Sequence, residues 1–116
     1  MDSTTIDIAY NEQEWEAVLD QLENRFQKRP DVTSIIFLIG HRTLGQFETK
    51  IKKEVKQDFM HIGVCTLLSE ANYYKFVGKD EDGWPHYEYN NNLPKLNHKE
   101  QEQLLKKMII EYFKNL

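Results

Sequence analysis

From Trp15 to Phe26 the apolar residues Trp15, Val18, Leu19, Leu22 and Phe26 fall at i, i+3, i+4, i+7 and i+11. That is one stripe of a helix with period 3.6, and a helix with one apolar stripe must bury it against another element. Asn11 can cap this helix, with Glu14 at the capping-box position, and Tyr10 and Trp15 have the spacing of a hydrophobic staple. Pro30 is expected to close the segment, giving a helix over about 11–28.

The next segment, "DVTSIIFLIGHRTLGQ", is ambiguous. Its β-branched residues from Val32 to Ile39 suit a short buried strand. Apolar positions 32, 35, 36 and 39 also keep helical spacing, Asp31 can cap, and Gly45 suits a left-handed position after a helix end. We read a helix over about 32–44. Gly40 inside it costs up to about 1 kcal/mol relative to Ala, which close packing of another element would offset. Val55, Phe59, Met60, Ile62, Val64, Leu67 and Leu68 are too many apolar positions for a surface helix, so a helix over about 54–70 belongs at the centre. The last helix, about 97–115, starts at Asn97 with Glu100 as box partner and carries a wide apolar face from Leu104 to Leu116.

Residues 73–89 read as a β-hairpin turning through Asp80-Glu81-Asp82-Gly83. A four-residue loop sets Lys79 opposite Trp84, Val77 opposite His86, Phe76 opposite Tyr87, Lys75 opposite Glu88 and Tyr74 opposite Tyr89. Four aromatic rings then share one face, while Lys75 and Glu88 pair on the other. Pro85 opposite Gly78 requires an edge or a bulge there. The aromatic face is expected to cover helices, because an isolated two-stranded hairpin is barely stable in water. Trp84 and His86 lie on the opposite face and are the expected exposed contact residues. The fold class expected is therefore α+β and mostly helical, with about four helices and a hairpin at about 73–89 before the last.

At 116 residues the chain fits one small globular domain, residues 1–116. The longest apolar run, Ile35 to Ile39, is far short of the about 20 residues that span a bilayer. No membrane partner is expected. One cysteine, Cys65, fits a reducing cytoplasm. The net charge is -4, and residues 1–24 carry seven acids and no Lys or Arg. Residues 42–56 reverse the sign, with Arg42, Lys50, Lys52, Lys53 and Lys56 against Glu48 and Glu54. In an acidic chain this patch is better read as a solvated connection than as a nucleic-acid surface.

The chemistry-bearing residues are few. The acidic turn is no EF-hand: with Gly83 at loop position 6, positions 1 and 12 would be Gly78 and Tyr89, which supply no carboxylate. The segment 40–45 lacks phosphate-loop spacing. Glu54, Asp58, His61 and Cys65 fall on one helical stripe, so His61 and Cys65 with His86 or His41 are conceivable zinc ligands, but CxxC and HExxH patterns are absent. A Cys65–His61 nucleophile would sit mid-helix, away from the helix N-terminus that lowers a thiol pKa. The expectation is a non-enzymatic cytoplasmic interaction module with no cofactor and no metal, with a protein partner or self-association as a homodimer through the apolar last helix. Its expected binding residues are Trp84, His86, His61 and Cys65. The alternative is a metal-dependent or thiol-based site built on His61, Cys65 and His86.

Overall fold

The computed structural model describes residues 7–50, 56–90 and 92–116. Lys52, Lys53, Glu54 and Val55, which figure in the expectations above, lie outside the described residues. The element order is α1 (Glu12–Phe26), α2 (Val32–Gln46), α3 (Lys56–Ser69), β1 (Tyr74–Lys79), β2 (Pro85–Tyr89) and α4 (His98–Lys114). This is a mostly helical α+β fold with the hairpin between α3 and α4, and the ambiguous segment from Val32 is helical. The chain falls into two units, residues 1–32 with 92–116, and residues 33–91.

In the first unit α1 packs on α4. Trp15, Val18, Leu19 and Leu22 are buried on α1, and Leu104, Met108, Ile109, Ile110 and Tyr112 on α4. The staple forms, with the Tyr10 and Trp15 rings edge to face at 6.5 Å. Lys106 of α4 sets its ammonium 5.3 Å from both ring centroids, so a cation–π contact joins the two helices. Asn97 forms the full capping box with Glu100. At α1, Asn11 accepts from the Glu14 N–H, while the Glu14 carboxylate meets the Lys114 ammonium at 2.8 Å instead of completing a box.

Two expectations at the end of α1 are corrected. The helix stops at Gln27, in the left-handed region at φ 60°, before the chain reaches Pro30. Phe26 is thereby the last helical residue, and its ring is 52% exposed with the Arg25 guanidinium over it. Arg29 then folds back onto Asp20, Glu23 and Glu16 of α1. Those hydrogen bonds, Asp20 first, push its already high pKa further up.

The second unit is organised by the approach of α2 to α3. A Cβ placed on Gly40 would overlap the backbone carbonyl of Phe59 and press on the Gly63 N–H. A Cβ on Gly63 would overlap the backbone carbonyl of Ile36. The two glycines therefore permit a contact of backbone on backbone, reciprocal across the pairs 36/40 and 59/63. One turn further, the Thr43 and Thr66 hydroxyls meet at 3.1 Å, each also within hydrogen-bond distance of a carbonyl of its own helix, Ile39 and Ile62, so that one proton bridges the pair and the other goes to a helix carbonyl. Leu44, Phe59 and Ile62 form a buried cluster beside this crossing.

Both helices end in the same way. After α2 the Thr49 N–H donates to Leu44 and the Glu48 N–H to Gly45; after α3 the Tyr73 N–H donates to Leu68 and the Asn72 N–H to Ser69. These are Schellman pairs, with left-handed Glu48 (φ 54°) and Asn72 (φ 65°) at C′. Gly45, expected at that position, lies inside the last turn of α2, because the helix runs two residues further than its apolar pattern.

The hairpin keeps the expected pairs Tyr74 with Tyr89, Lys75 with Glu88 and Phe76 with Tyr87. Beyond them β1 bulges at Val77, so Gly78 faces His86 and Lys79 faces Pro85. The expected pairing of Val77 with His86 and of Lys79 with Trp84 is corrected by one position, through the bulge that Pro85 had called for. Gly78 takes φ 134°, a conformation L side chains rarely adopt. Phe47 stacks on Phe76 at 5.1 Å, and Phe76 meets Tyr87 at 5.7 Å. The aromatic face is thus only partly covered, since Phe76 and Tyr89 stay 42% and 43% exposed.

The glycines give a graded test. Gly40→Ala and Gly63→Ala are expected to destabilise by at least about 2 kcal/mol, since backbone must move to admit the methyl. Gly45→Ala, with nothing near its Cβ position, is expected to stabilise by up to about 1 kcal/mol. Urea midpoints of the three variants check this, and an unaffected Gly40→Ala would contradict the packing.

Candidate functional site

A cleft of about 290 Å³ opens between α3 and the hairpin, lined by Asp58, His61 and Ile62 from α3 and by Asp80, Trp84, Pro85, His86 and Tyr87. Helical spacing sets Asp58 and His61 one turn apart on the outer side of α3, both exposed. Ile62, next in sequence, faces the buried cluster, and Trp84 and Tyr87 pack against that same cluster. The cleft therefore has an aromatic floor and a polar rim.

Asp80 organises the hairpin end. Its Oδ1 accepts the backbone N–H groups of Asp82 and Trp84 at 3.0 Å each, and its Oδ2 lies 3.1 Å from His86 Nε2. Hydrogen bonding to His86, then to the Trp84 N–H, lowers the Asp80 pKa and holds it as carboxylate. The turn is also fastened to the segment after α2. The Lys50 N–H donates to the Asp82 carbonyl at 2.7 Å and the Thr49 hydroxyl to the Gly83 carbonyl at 2.6 Å. Gly83, at φ 85° with its Cβ position 2.9 Å from Thr49 Cα, is required here for both its conformation and its size.

Three of the four expected binding residues meet at this cleft: His61, Trp84 and His86. His86 is exposed, as expected, over 59% of its side chain. Trp84 was expected to be exposed and is half-buried, because the fastened turn sets it against the cluster of Leu44, Phe59 and Ile62. Cys65 lies behind the cleft and is fully buried. Its Sγ is 3.6 Å from His61 Nε2, and burial pushes the thiol up to about 11. That arrangement keeps the sulfur protonated and away from solvent, the reverse of what a nucleophile needs. Tyr87 also has its pKa raised by burial, a shift opposed by a hydrogen bond to Thr66. Among the described residues, no group of three His, Cys, Asp or Glu side chains is arranged to hold a metal ion.

Asp80 was read from sequence only as part of a solvated tip. The signal for its role is local: an Asp three residues before a Gly is the usual opening of a turn in which the carboxylate accepts backbone N–H groups. No family model, curated protein or solved structure matches this chain. The functional reading consequently rests on the geometry of the cleft.

Two outcomes are expected. Native protein should react with a disulfide reagent far more slowly than unfolded protein at pH 8.5, where an ordinary thiol is about half ionised; equal rates would contradict the buried thiol. A folded pKa lowered at Asp80 gives stability that is present above the ordinary carboxylate pKa of about 3.9 and lost as pH falls through the lowered value. The Asp82 and Trp84 amide resonances should therefore hold their positions through that pH and move together only below it.

Proposed function

We propose that this chain is a non-catalytic protein-interaction module that meets its partner at the cleft between α3 and β2. The observation that carries this reading is the convergence of His61, Trp84 and His86 on one opening. Half-buried aromatic rings beside exposed polar groups are the composition of an interface centre, where Trp and Tyr contribute most per residue. The buried Cys65, its thiol pushed up to about 11, favours binding over thiol chemistry, and a single cysteine suits a cytoplasmic setting. Among the described residues no helix is long and apolar enough to cross a membrane.

Self-association through α4 draws less support than it did from sequence. Leu104, Met108, Ile109, Ile110 and Tyr112 are buried within the chain, and only Leu116 of that face is strongly exposed. A second reading, a metal or thiol site on His61, Cys65 and His86, is favoured by the His61–Cys65 contact at 3.6 Å. It needs a third ligand to reach them, so a zinc titration that leaves the His61 and His86 resonances unmoved removes it.

Peptides selected by phage display on the immobilised full chain test the leading reading. They are expected to shift the His61, Trp84 and His86 side-chain resonances, and the double variant His61→Ala/His86→Ala, checked to remain folded by its amide spectrum, should bind them about tenfold more weakly. Selected peptides that bind α1 or α4, with the cleft unmoved, would contradict it.

A further inference from the structure

The cleft meets β2 along its edge. Successive residues of a strand point to opposite faces, yet Trp84, Pro85, His86 and Tyr87 all line the same opening. Trp84 precedes the strand, but Pro85, His86 and Tyr87 are consecutive within it, and residues of both faces meet one opening along the strand's edge. Among the described residues β2 pairs with β1 alone, so the cleft borders its other edge, on which no described strand lies.

Two hydrogen bonds show which backbone groups face that open edge. The Asp80 N–H donates to the Trp84 carbonyl, and the Asn90 N–H donates to the Tyr73 carbonyl. Trp84 and Asn90 therefore turn their backbone groups toward β1. In an antiparallel pair the direction alternates residue by residue, and the extra residue of the bulge lies in β1, so the alternation along β2 is unbroken. His86 and Glu88 then point inward, and the carbonyl of Pro85 with both backbone groups of Tyr87 points out into the cleft. Pro85 has no N–H to leave unpaired there, which suits an edge position.

The rim supplies a charge preference. Asp58 and Asp80 bring two carboxylates to the cleft lining, and Glu81 and Asp82 continue that sign along the turn. Asp80 is fully engaged by the Asp82 and Trp84 N–H groups and His86. Asp58, exposed on α3, lines the same cleft as the strand residues Pro85, His86 and Tyr87.

We propose that the cleft accepts an extended segment of a partner protein as a third strand on the open edge of β2, with an arginine or lysine of that segment directed at Asp58. This rests on the reading of the cleft as the interaction site and specifies how the partner is held. Backbone bonds to Pro85 and Tyr87 provide the affinity of strand addition, and the side chain reaching α3 provides the selectivity. The aromatic floor of Trp84 and Tyr87 lies beneath, where an Arg or Lys side chain gains from ring contact as well as from the carboxylate.

The test is an amide-resolved titration of the full chain with the blocked peptide Thr-Val-Arg-Val-Thr, the same peptide with Glu for Arg, and two analogues N-methylated on alternate amides. The Arg peptide is expected to shift the Tyr87 amide saturably downfield. The Glu peptide should bind about tenfold more weakly, and at least one N-methylated analogue about fivefold more weakly. Asp58→Asn should erase the preference for Arg over Glu at unchanged Tm. Shifts at His61 and Trp84 with the Tyr87 amide unmoved would overturn strand addition and leave the interaction site standing. No shift in the cleft with these peptides or with phage-selected ones would overturn both. A Tyr87 amide that moves with protein concentration alone would assign the edge to a second copy of the chain and overturn the peptide occupant.

Discussion

The contact of α2 backbone on α3 backbone is the constraint from which the second unit follows. Gly40 weakens α2 as an isolated helix by up to about 1 kcal/mol relative to Ala, and Gly63 does the same in α3. Both are tolerated because the missing side chains let Phe59, Gly63 and Ile36 approach at main-chain distance. The Thr43–Thr66 hydroxyl contact then fixes the register one turn on. With the helices so placed, Leu44, Phe59 and Ile62 close into the cluster on which the hairpin rests.

The hairpin end is fixed from two sides. From below, Trp84 and Tyr87 lie on that cluster; from the flank, Thr49 and Lys50 hold the carbonyls of Gly83 and Asp82. The left-handed Glu48 aims residues 49–50 at the turn, so the end of α2 contributes to the site without lining it. The cleft is what remains open where the rising strand β2 departs from α3. Its polar rim follows from two local rules: Asp58 and His61 share an outward face of α3, and Asp80 must stay ionised to hold the turn.

Much of this was legible in the sequence because the forces concerned are local. The Asn11 and Asn97 caps and the Tyr10–Trp15 staple depend on spacings of three to five residues, and all three formed. Gly40 could be read as a packing position because a glycine inside an apolar helix has few other uses. Its reciprocal partner Gly63 could not, since only the crossing itself pairs the two. The register from Tyr74 to Phe76 followed from matching side chains across the strands. It failed beyond Val77, where the turn length is set by the Asp80 carboxylate and by the φ of Gly78.

The burial of Trp84 and the end of α2 were hidden for the same reason. Alternation in an isolated hairpin puts Trp84 on the outer face; the segment after α2 pulls the turn inward and reverses this. Gly45 looked like a helix stop, but Glu48 takes the left-handed position because Thr49 is needed at the hairpin. The candidate site was half legible: His61, Trp84 and His86 were singled out by residue type and share the cleft, while the part played by Asp80 emerges only from its hydrogen bonds. Cys65, next to His61 in any helical reading, is excluded from surface chemistry by burial that its neighbours alone do not reveal.

The most direct measurement is the set of proton–proton Overhauser contacts from the Gly40 α-protons in uniformly labelled protein. The account predicts strong cross-peaks to the Gly63 amide and to backbone protons of residues 59–63, the mark of two helices touching without side chains between them. A folded protein in which the Gly40 α-protons show only contacts within α2 would contradict it, and with it the placement of the hairpin and the cleft.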